Sequence, residues 1–287
     1  MEYDAIIIGK GPAGISASLY LARAGYRVLV FGKDKGALER AEKIENYYGF
    51  PEPLSGAELV DRGIDQALRL GVTVAAEEVT GIGIEDSFLV KTPQGDYRAK
   101  VVLLASGKSR SGLKVPGFEE FRGRGISFCA TCDGFFYRGK KLAVIGAGEY
   151  AAAELAELLH FTRDVTLFTN GATPVPGAFP AEIARVDARI ARFAGDERFS
   201  AIVTEDGVEH PVDGVFVAIG AAGAADFAAK VGIALDGQDI AVDGDFMTNL
   251  PGMYAAGDCV GGFLQVTKAV SDGALAAKAM IAYLKKS

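Results

Sequence analysis

The chain has 287 residues, 49% of them hydrophobic, with 37 acidic and 30 basic side chains for a formal charge of -7. That length exceeds one typical domain, and the acidic balance removes any global electrostatic basis for clasping nucleic acid, while a local basic patch for a protein partner stays open. Three cysteines are too few to staple a chain of this size but enough for a catalytic pair and one spare, Cys259, read as a buried small side chain.

Tyr3 to Ile8 is an apolar run suited to a buried parallel strand, and Ser16 to Ala24 reads as the helix returning from it. Because this strand begins so early and no long apolar span follows, neither a secretory peptide nor a membrane helix fits, and a cytoplasmic enzyme is expected. Arg27 to Phe31 supplies the next strand. Beyond the polar stretch from Gly32 to Tyr48, Ser55 to Leu70 has helical spacing and Val72 to Ala76 forms a short strand. Phe88 to Lys91 and Tyr97 to Leu104 alternate as strands, the second running into Ala105-Ser106-Gly107 at the edge of a nucleotide-binding sheet. Gly112 to Gly125 is the natural crossing into a second unit.

The pattern then starts over. Lys141 to Ile145 is a strand, a helix runs to about His160, and Asp164 to Phe168 is the next strand. Thr173 to Pro180 carries three prolines and must be loop. Phe199 to Thr204 and Gly214 to Ile219 complete the unit. From about Ile240 the chain returns to a strand at Gly252 to Ala255, a Gly257-Asp258 turn and a final helix from Thr267 to Leu284.

Gly9-Lys-Gly11-Pro-Ala-Gly14 lies between strand and helix, where absent side chains let the backbone approach a pyrophosphate at the helix N-terminus. A tight turn without ligand is the bland alternative. Phe31 is followed by Gly32-Lys33, with no acid to grip a ribose diol, which weakens a plain NAD reading. The second turn, Gly146-Ala-Gly148-Glu-Tyr150-Ala151, satisfies the steric demand of the fold. Glu149, however, adds negative charge where a pyrophosphate would lie, and the next strand ends Phe168-Thr-Asn170 with neither acid nor arginine. This turn is read as preserving the fold without binding a nicotinamide nucleotide well.

Cys129-Ala-Thr-Cys132 precedes that second strand. In such a pair one thiol attacks a disulfide and the other resolves the mixed intermediate. Asp133 is close enough in sequence to donate a proton if burial raises its pKa. A zinc half-site is the competing reading, poorly supported by one further cysteine and two histidines, His160 and His210. A structural cysteine pair in a turn is the other.

Together these segments resemble the low-molecular-weight thioredoxin reductases over nearly the whole chain. The likeness rests on the Gly9 to Gly14 turn, Glu45-Asn46, Cys129 to Tyr137, Gly146 to Glu154, Phe216-Val-Ala-Ile-Gly220 and Pro251-Gly-Met-Tyr-Ala-Ala-Gly-Asp258. It implies an α/β fold of two Rossmann-like three-layer dinucleotide-binding domains, the second inserted into the first. The FAD-binding domain would comprise 1–112 and 240–287, and 113–239 would be a pyridine-nucleotide-type domain carrying the dithiol. By the same likeness Gly9, Gly11, Pro12, Ala13 and Gly14 hold the FAD pyrophosphate, and Gly107 belongs to the cofactor-binding set. Asn46 lies near the flavin, and Asp258, Gln265 and Val266 contact the ribityl chain and isoalloxazine. Asp133 is the acid, and Phe135 to Tyr137 form part of the loop near thioredoxin; without the family, those three aromatics read as core.

Three departures stand out. The His-Arg-Arg element that grips the NADPH 2'-phosphate is replaced by Thr169-Asn170-Gly171, the segment after it is short, and the family's Gly-Gly-Gln-Leu appears as Gly36-Ala-Leu-Glu39. The first two fall on the hydride-donor side, whereas the dithiol motif is intact. That pattern resembles the ferredoxin-dependent flavin thioredoxin reductases. The expected enzyme is a homodimer that takes electrons from ferredoxin through FAD and the Cys129-Cys132 dithiol to thioredoxin. An NAD(P)H-driven reductase with an atypical site and a non-catalytic flavin-binding redox sensor are the rivals.

Overall fold

The computed structural model describes residues 2–107, 113–128, 130–219, 224–237 and 239–286. It divides the chain into two compact units, one of Met1–Ser109 with Gly223–Ser287, the other of Arg110–Ala222.

The first unit opens with β1 (Glu2–Ile8), α1 (Pro12–Arg23), β2 (Val28–Phe31), α2 (Gly56–Arg69) and β3 (Thr73–Ala75), followed by β4 (Gly81–Ile84), β5 (Phe88–Thr92) and β6 (Gly95–Leu104). Helix α1 begins at Pro12, earlier than the apolar spacing from Ser16 suggests, because proline is preorganised for a first helical turn. Helix α2 starts on a serine cap: Ser55 Oγ accepts from the Glu58 N–H at 3.1 Å, and Glu58 pairs with Arg62 one turn on. The sheet runs β3-β2-β1-β6-β5-β4. Its β3, β2, β1 and β6 strands are parallel, and β5 and β4 add antiparallel at the edge.

The second unit contains α3 (Phe118–Phe121), β7 (Ile126–Ser127), α4 (Ala130–Asp133), β8 (Leu142–Ile145), α5 (Glu149–Leu158) and β9 (Val165–Phe168). It continues with β10 (Ala184–Val186), β11 (Ile190–Gly195), β12 (Phe199–Thr204), β13 (Glu209–Pro211) and β14 (Gly214–Val217). A parallel sheet of order β10-β9-β8-β14-β7 stands beside an antiparallel β11-β12-β13 sheet. Ile145, Phe168, Phe193, Phe199, Ile202 and Val215 are among the residues of its core.

The chain then returns through α6 (Ala224–Val231), β15 (Leu235–Asp236), β16 (Asp239–Ile240), β17 (Met253–Ala255) and α7 (Val266–Leu284). Strand β17 pairs parallel with the second half of β6, whose first half pairs with β5. Ala5, Ile7, Leu21, Val30, Leu103, Tyr254 and Met280 belong to this unit's core. The return falls at 222–223 and not at the expected 239–240. The reason is α6, which buries Phe227 and Ala228, packs on β4 and β16, and sends Lys230 Nζ to the Thr80 carbonyl at 3.4 Å.

Candidate functional site

In the first unit, β1 and β6 lie side by side while the chain leaves β1 toward β2, so the crevice at their carboxyl ends is a topological switch point. The glycine turn fills it. Gly9 has φ +120°, and a Cβ there would run into the Ala105 carbonyl; a Cβ on Gly14 would run into the Gly9 carbonyl. These two glycines are required by the protein's own backbone. Gly11 differs: it caps α1 at φ -75°, and among the described residues nothing lies within 4 Å of a Cβ placed there and no side chain caps the helix. The helix therefore presents its first-turn N–H groups, beginning with Ala13 and Gly14 after Pro12, without a capping oxygen. Ser106 Oγ, just past β6, is buried without a partner among the described residues, and Gly107 follows at φ +71°. Uncapped N–H groups, open space above Gly11 and an orphaned hydroxyl fit a dinucleotide pyrophosphate.

A cavity of about 390 Å³ opens from this turn, lined among others by Gly11, Pro12, Tyr47, Phe50 and Val266. Tyr47 stacks on Phe50 at 6.0 Å, and the Arg62 guanidinium lies 5.6 Å from the Phe50 ring. Asn46 Nδ2 donates to Gln265 Oε1 at 3.1 Å, so the structure brings together two residues that are 219 positions apart. Gln265 caps α7 and Val266 is its first residue. Asp258 begins a 3-10 turn, half-buried. Glu45 is exposed and pairs with Lys43.

Sequence reasoning missed the clasp beneath Asp258. Lys268 Nζ donates to the Gly257 and Gly261 carbonyls at 2.9 and 2.6 Å and pairs with Asp272 at 2.7 Å. Asp272 Oδ2 in turn accepts from the Gly257 N–H at 3.1 Å. The i,i+4 spacing was visible, but its use in holding a loop was not. At the end of β2, where a ribose-binding acid is absent, Lys33 pairs at 2.7 Å with the buried Glu78. Cys259 is buried, its Sγ directed at the Leu104 and Ala256 carbonyls, and burial pushes its thiol up to about 12.

In the second unit Cys129 lies outside the described residues. Position 132 falls in the single turn of α4, which Asp133 closes. Asp133 is half-buried and Oδ2 accepts from Ser127 Oγ at 2.6 Å. Of the aromatics read as core without the family, Phe135 and Phe136 are 62% and 76% exposed, which gives them to solvent or a partner. Tyr137 packs edge-on against Phe216 at 5.6 Å, and desolvation raises its phenol pKa.

The second glycine turn has a different environment. The Val175 N–H donates to the Ala147 carbonyl at 2.9 Å, which ties the proline-rich loop to the turn. At the end of β9, Thr169 Oγ1 donates to Asp187 Oδ1 at 3.0 Å and Asn170 Oδ1 accepts from the Ile190 N–H at 2.8 Å. Arg185 pairs with Asp187 at 3.1 Å, while Arg189 is exposed and leans over Gly171. Thr169, Asn170, Arg185 and Asp187 at this strand end are thus tied to partners within the protein.

The family model described as pyridine nucleotide-disulphide oxidoreductase matches residues 3–273. A thioredoxin reductase of Treponema pallidum (strain Nichols) is 36% identical, the match covering 99% of this chain and 97% of that protein. Among solved structures, the atypical thioredoxin reductase TRi from Desulfovibrio vulgaris Hildenborough superposes with a TM-score of 0.93 at 40% identity, over 99% of this chain and 98% of that one. A ferredoxin-flavin thioredoxin reductase from Clostridium acetobutylicum gives 0.76 at 29% identity, over 100% and 99% of the two chains.

Proposed function

Because the chain belongs to the thioredoxin reductases of the pyridine nucleotide-disulphide oxidoreductase family, we propose that its electrons come from reduced ferredoxin and not from a nicotinamide nucleotide. It is a flavin-dependent thioredoxin-disulfide reductase whose cofactor is FAD, passing electrons through a dithiol to thioredoxin. The observation that carries the donor proposal is the second glycine turn: Val175 is bonded to it, Glu149 opens α5, and the β9 end is occupied by its own hydrogen bonds. The likeness to a ferredoxin-flavin thioredoxin reductase supports the same reading.

FAD, when bound, supplies a carrier that holds two electrons and can be loaded one at a time. In the first unit the Gly9 to Gly14 turn would hold its pyrophosphate with Gly107 nearby, and Asn46, Asp258, Gln265 and Val266 would orient its flavin end. Cys132 would be the flavin-facing thiol. Cys129, as thiolate, would attack one sulfur of the thioredoxin disulfide; Cys132 would then displace the mixed disulfide, releasing thioredoxin as a dithiol and closing Cys129-Cys132. Asp133, held by Ser127, would supply the proton. The exposed Phe135 and Phe136 would meet thioredoxin. A homodimer and a cytoplasmic location belong to the same proposal. Among the described residues no helix is long and apolar enough to cross a membrane.

The test is turnover of thioredoxin with reduced ferredoxin as sole reductant. Cys132→Ser should abolish it while leaving flavin reduction intact. Turnover by that variant at the wild-type rate would remove the dithiol assignment.

A further inference from the structure

Two residues of α5 that reach the dithiol segment are buried polar side chains one helical turn apart. Tyr150 and Glu154 are each 1% exposed, and they reach the backbone on either side of position 129. Tyr150 donates its hydroxyl to the Phe128 carbonyl at 3.2 Å, and Glu154 Oε2 accepts from the Ala130 N–H at 2.6 Å. The spacing explains why one helix can do both, since i and i+4 side chains share a face.

A single-turn helix such as α4 has little cooperative stability of its own, and its first N–H groups have no intrahelical partner. Ala130 is the first residue of that turn, so Glu154 acts as its cap from another element. Helix α5 is anchored in turn by the buried Leu155 and Leu158 and by the second glycine turn at its amino end. Its rigidity is thereby passed to the segment that carries the thiols. This gives the retained glycine turn a purpose that does not involve a nucleotide.

We propose that Tyr150 and Glu154 are positioning residues for the dithiol, acting through the Phe128 carbonyl and the Ala130 amide to set the geometry of thiol exchange. The role rests on acceptance of a hydrogen bond at Glu154 and donation of one at Tyr150, and it presupposes the dithiol reading above.

The experiment uses the FAD-loaded full chain under continuous anaerobic photochemical reduction, with oxidised thioredoxin as the acceptor. FAD content, Tm and the KM for thioredoxin are measured beside kcat. Glu154→Ala removes the acceptor and should lower kcat by about tenfold or more, the KM for thioredoxin moving less than about twofold because Phe135 and Phe136 are untouched. Glu154→Gln keeps an acceptor oxygen and should restore kcat to within about threefold of wild type. Tyr150→Phe deletes one hydroxyl from a filled site; it should fold with unchanged FAD content and lose roughly three- to tenfold in kcat, so the proposal stays testable even if Glu154→Ala does not fold. Wild-type kcat in Tyr150→Phe or Glu154→Ala, or a Glu154→Gln variant as slow as Glu154→Ala, would overturn the proposal. Wild-type protein that cannot reduce thioredoxin would overturn the dithiol reading itself and this inference with it.

Discussion

Replacing Gly11 and Gly14 separately by alanine divides what the fold needs from what the cofactor needs. A Cβ on Gly14 would strike the Gly9 carbonyl and come within 3.0 Å of Ile7 Cγ2, atoms fixed in the β1 strand and its turn. Overpacking of that kind costs about 1–3 kcal/mol, and more when backbone must move. Gly14→Ala should therefore lower the Tm of the FAD-free protein and expose it to proteolysis. At Gly11 the backbone, φ -75° and ψ -176°, is open to any residue, and nothing among the described residues lies within 4 Å of the new methyl. Gly11→Ala should change FAD-free stability by less than about 1 kcal/mol. Its methyl would nevertheless stand where the pyrophosphate approaches the helix. Loss of one charge-assisted hydrogen bond is worth about 1.5–3 kcal/mol, so the Kd for FAD should rise roughly 10- to 150-fold. The assay is quenching of flavin fluorescence on titration into deflavinated protein, beside thermal unfolding of the same samples. An unchanged Kd for Gly11→Ala would refute the placement of the pyrophosphate on this turn, and a wild-type Tm for Gly14→Ala would refute the steric argument.

Lys268→Met should leave the Asp272 carboxylate buried without its cation and cost about 3 kcal/mol, read as a fall in Tm and a weaker Kd for FAD; the double variant Lys268→Met with Asp272→Asn should recover part of both, and an unaffected Kd would separate the clasp from the cofactor site. After reduction of the folded protein with a dithiol reagent, Cys259 should resist iodoacetamide at pH 8, with mass spectrometry finding label only at positions 129 and 132, because burial holds its thiol protonated. The same thiol sets an alkaline limit. Its pKa is raised from 9.0 to about 12 on folding, so its contribution is complete below pH 9 and declines toward pH 12 as the unfolded state ionises first. Urea unfolding between pH 9 and 11 should show a loss of up to about 1.4 kcal/mol per pH unit that Cys259→Ala lacks; equal slopes would contradict the assignment.

Much of this was legible along the chain because it is local. The run Tyr3 to Ile8, the glycine turn and the helix after it follow from strand hydrophobicity and steric demand, and each stands in the structure. Strand β4, Gly81-Ile-Gly-Ile84, escaped notice because glycine has poor strand propensity and only its partner β5 makes it a strand. Strand β11 was hidden similarly, its pairing with β12 interrupted by register shifts. The unit boundary was misplaced because α6 belongs to the first unit through packing on β4, a relation between distant segments. The same distance hid the contacts of Glu154 with Ala130 and of Lys268 with the Gly257 loop: the residue types were plain, but their partners are set by the fold. Asn46 and Gln265 are each assigned to the flavin end only through family likeness, and the hydrogen bond between them appears only in the structure.

The measurement that bears most directly on the account is anaerobic stopped-flow absorbance of the bound flavin after mixing the FAD-loaded protein with reduced ferredoxin, NADPH and NADH in turn. Bleaching at catalytically useful rates with ferredoxin alone is the predicted result. Fast bleaching by NADPH or NADH would contradict it and would make Arg189, over Gly171, the first residue to test as the replacement for the absent arginines.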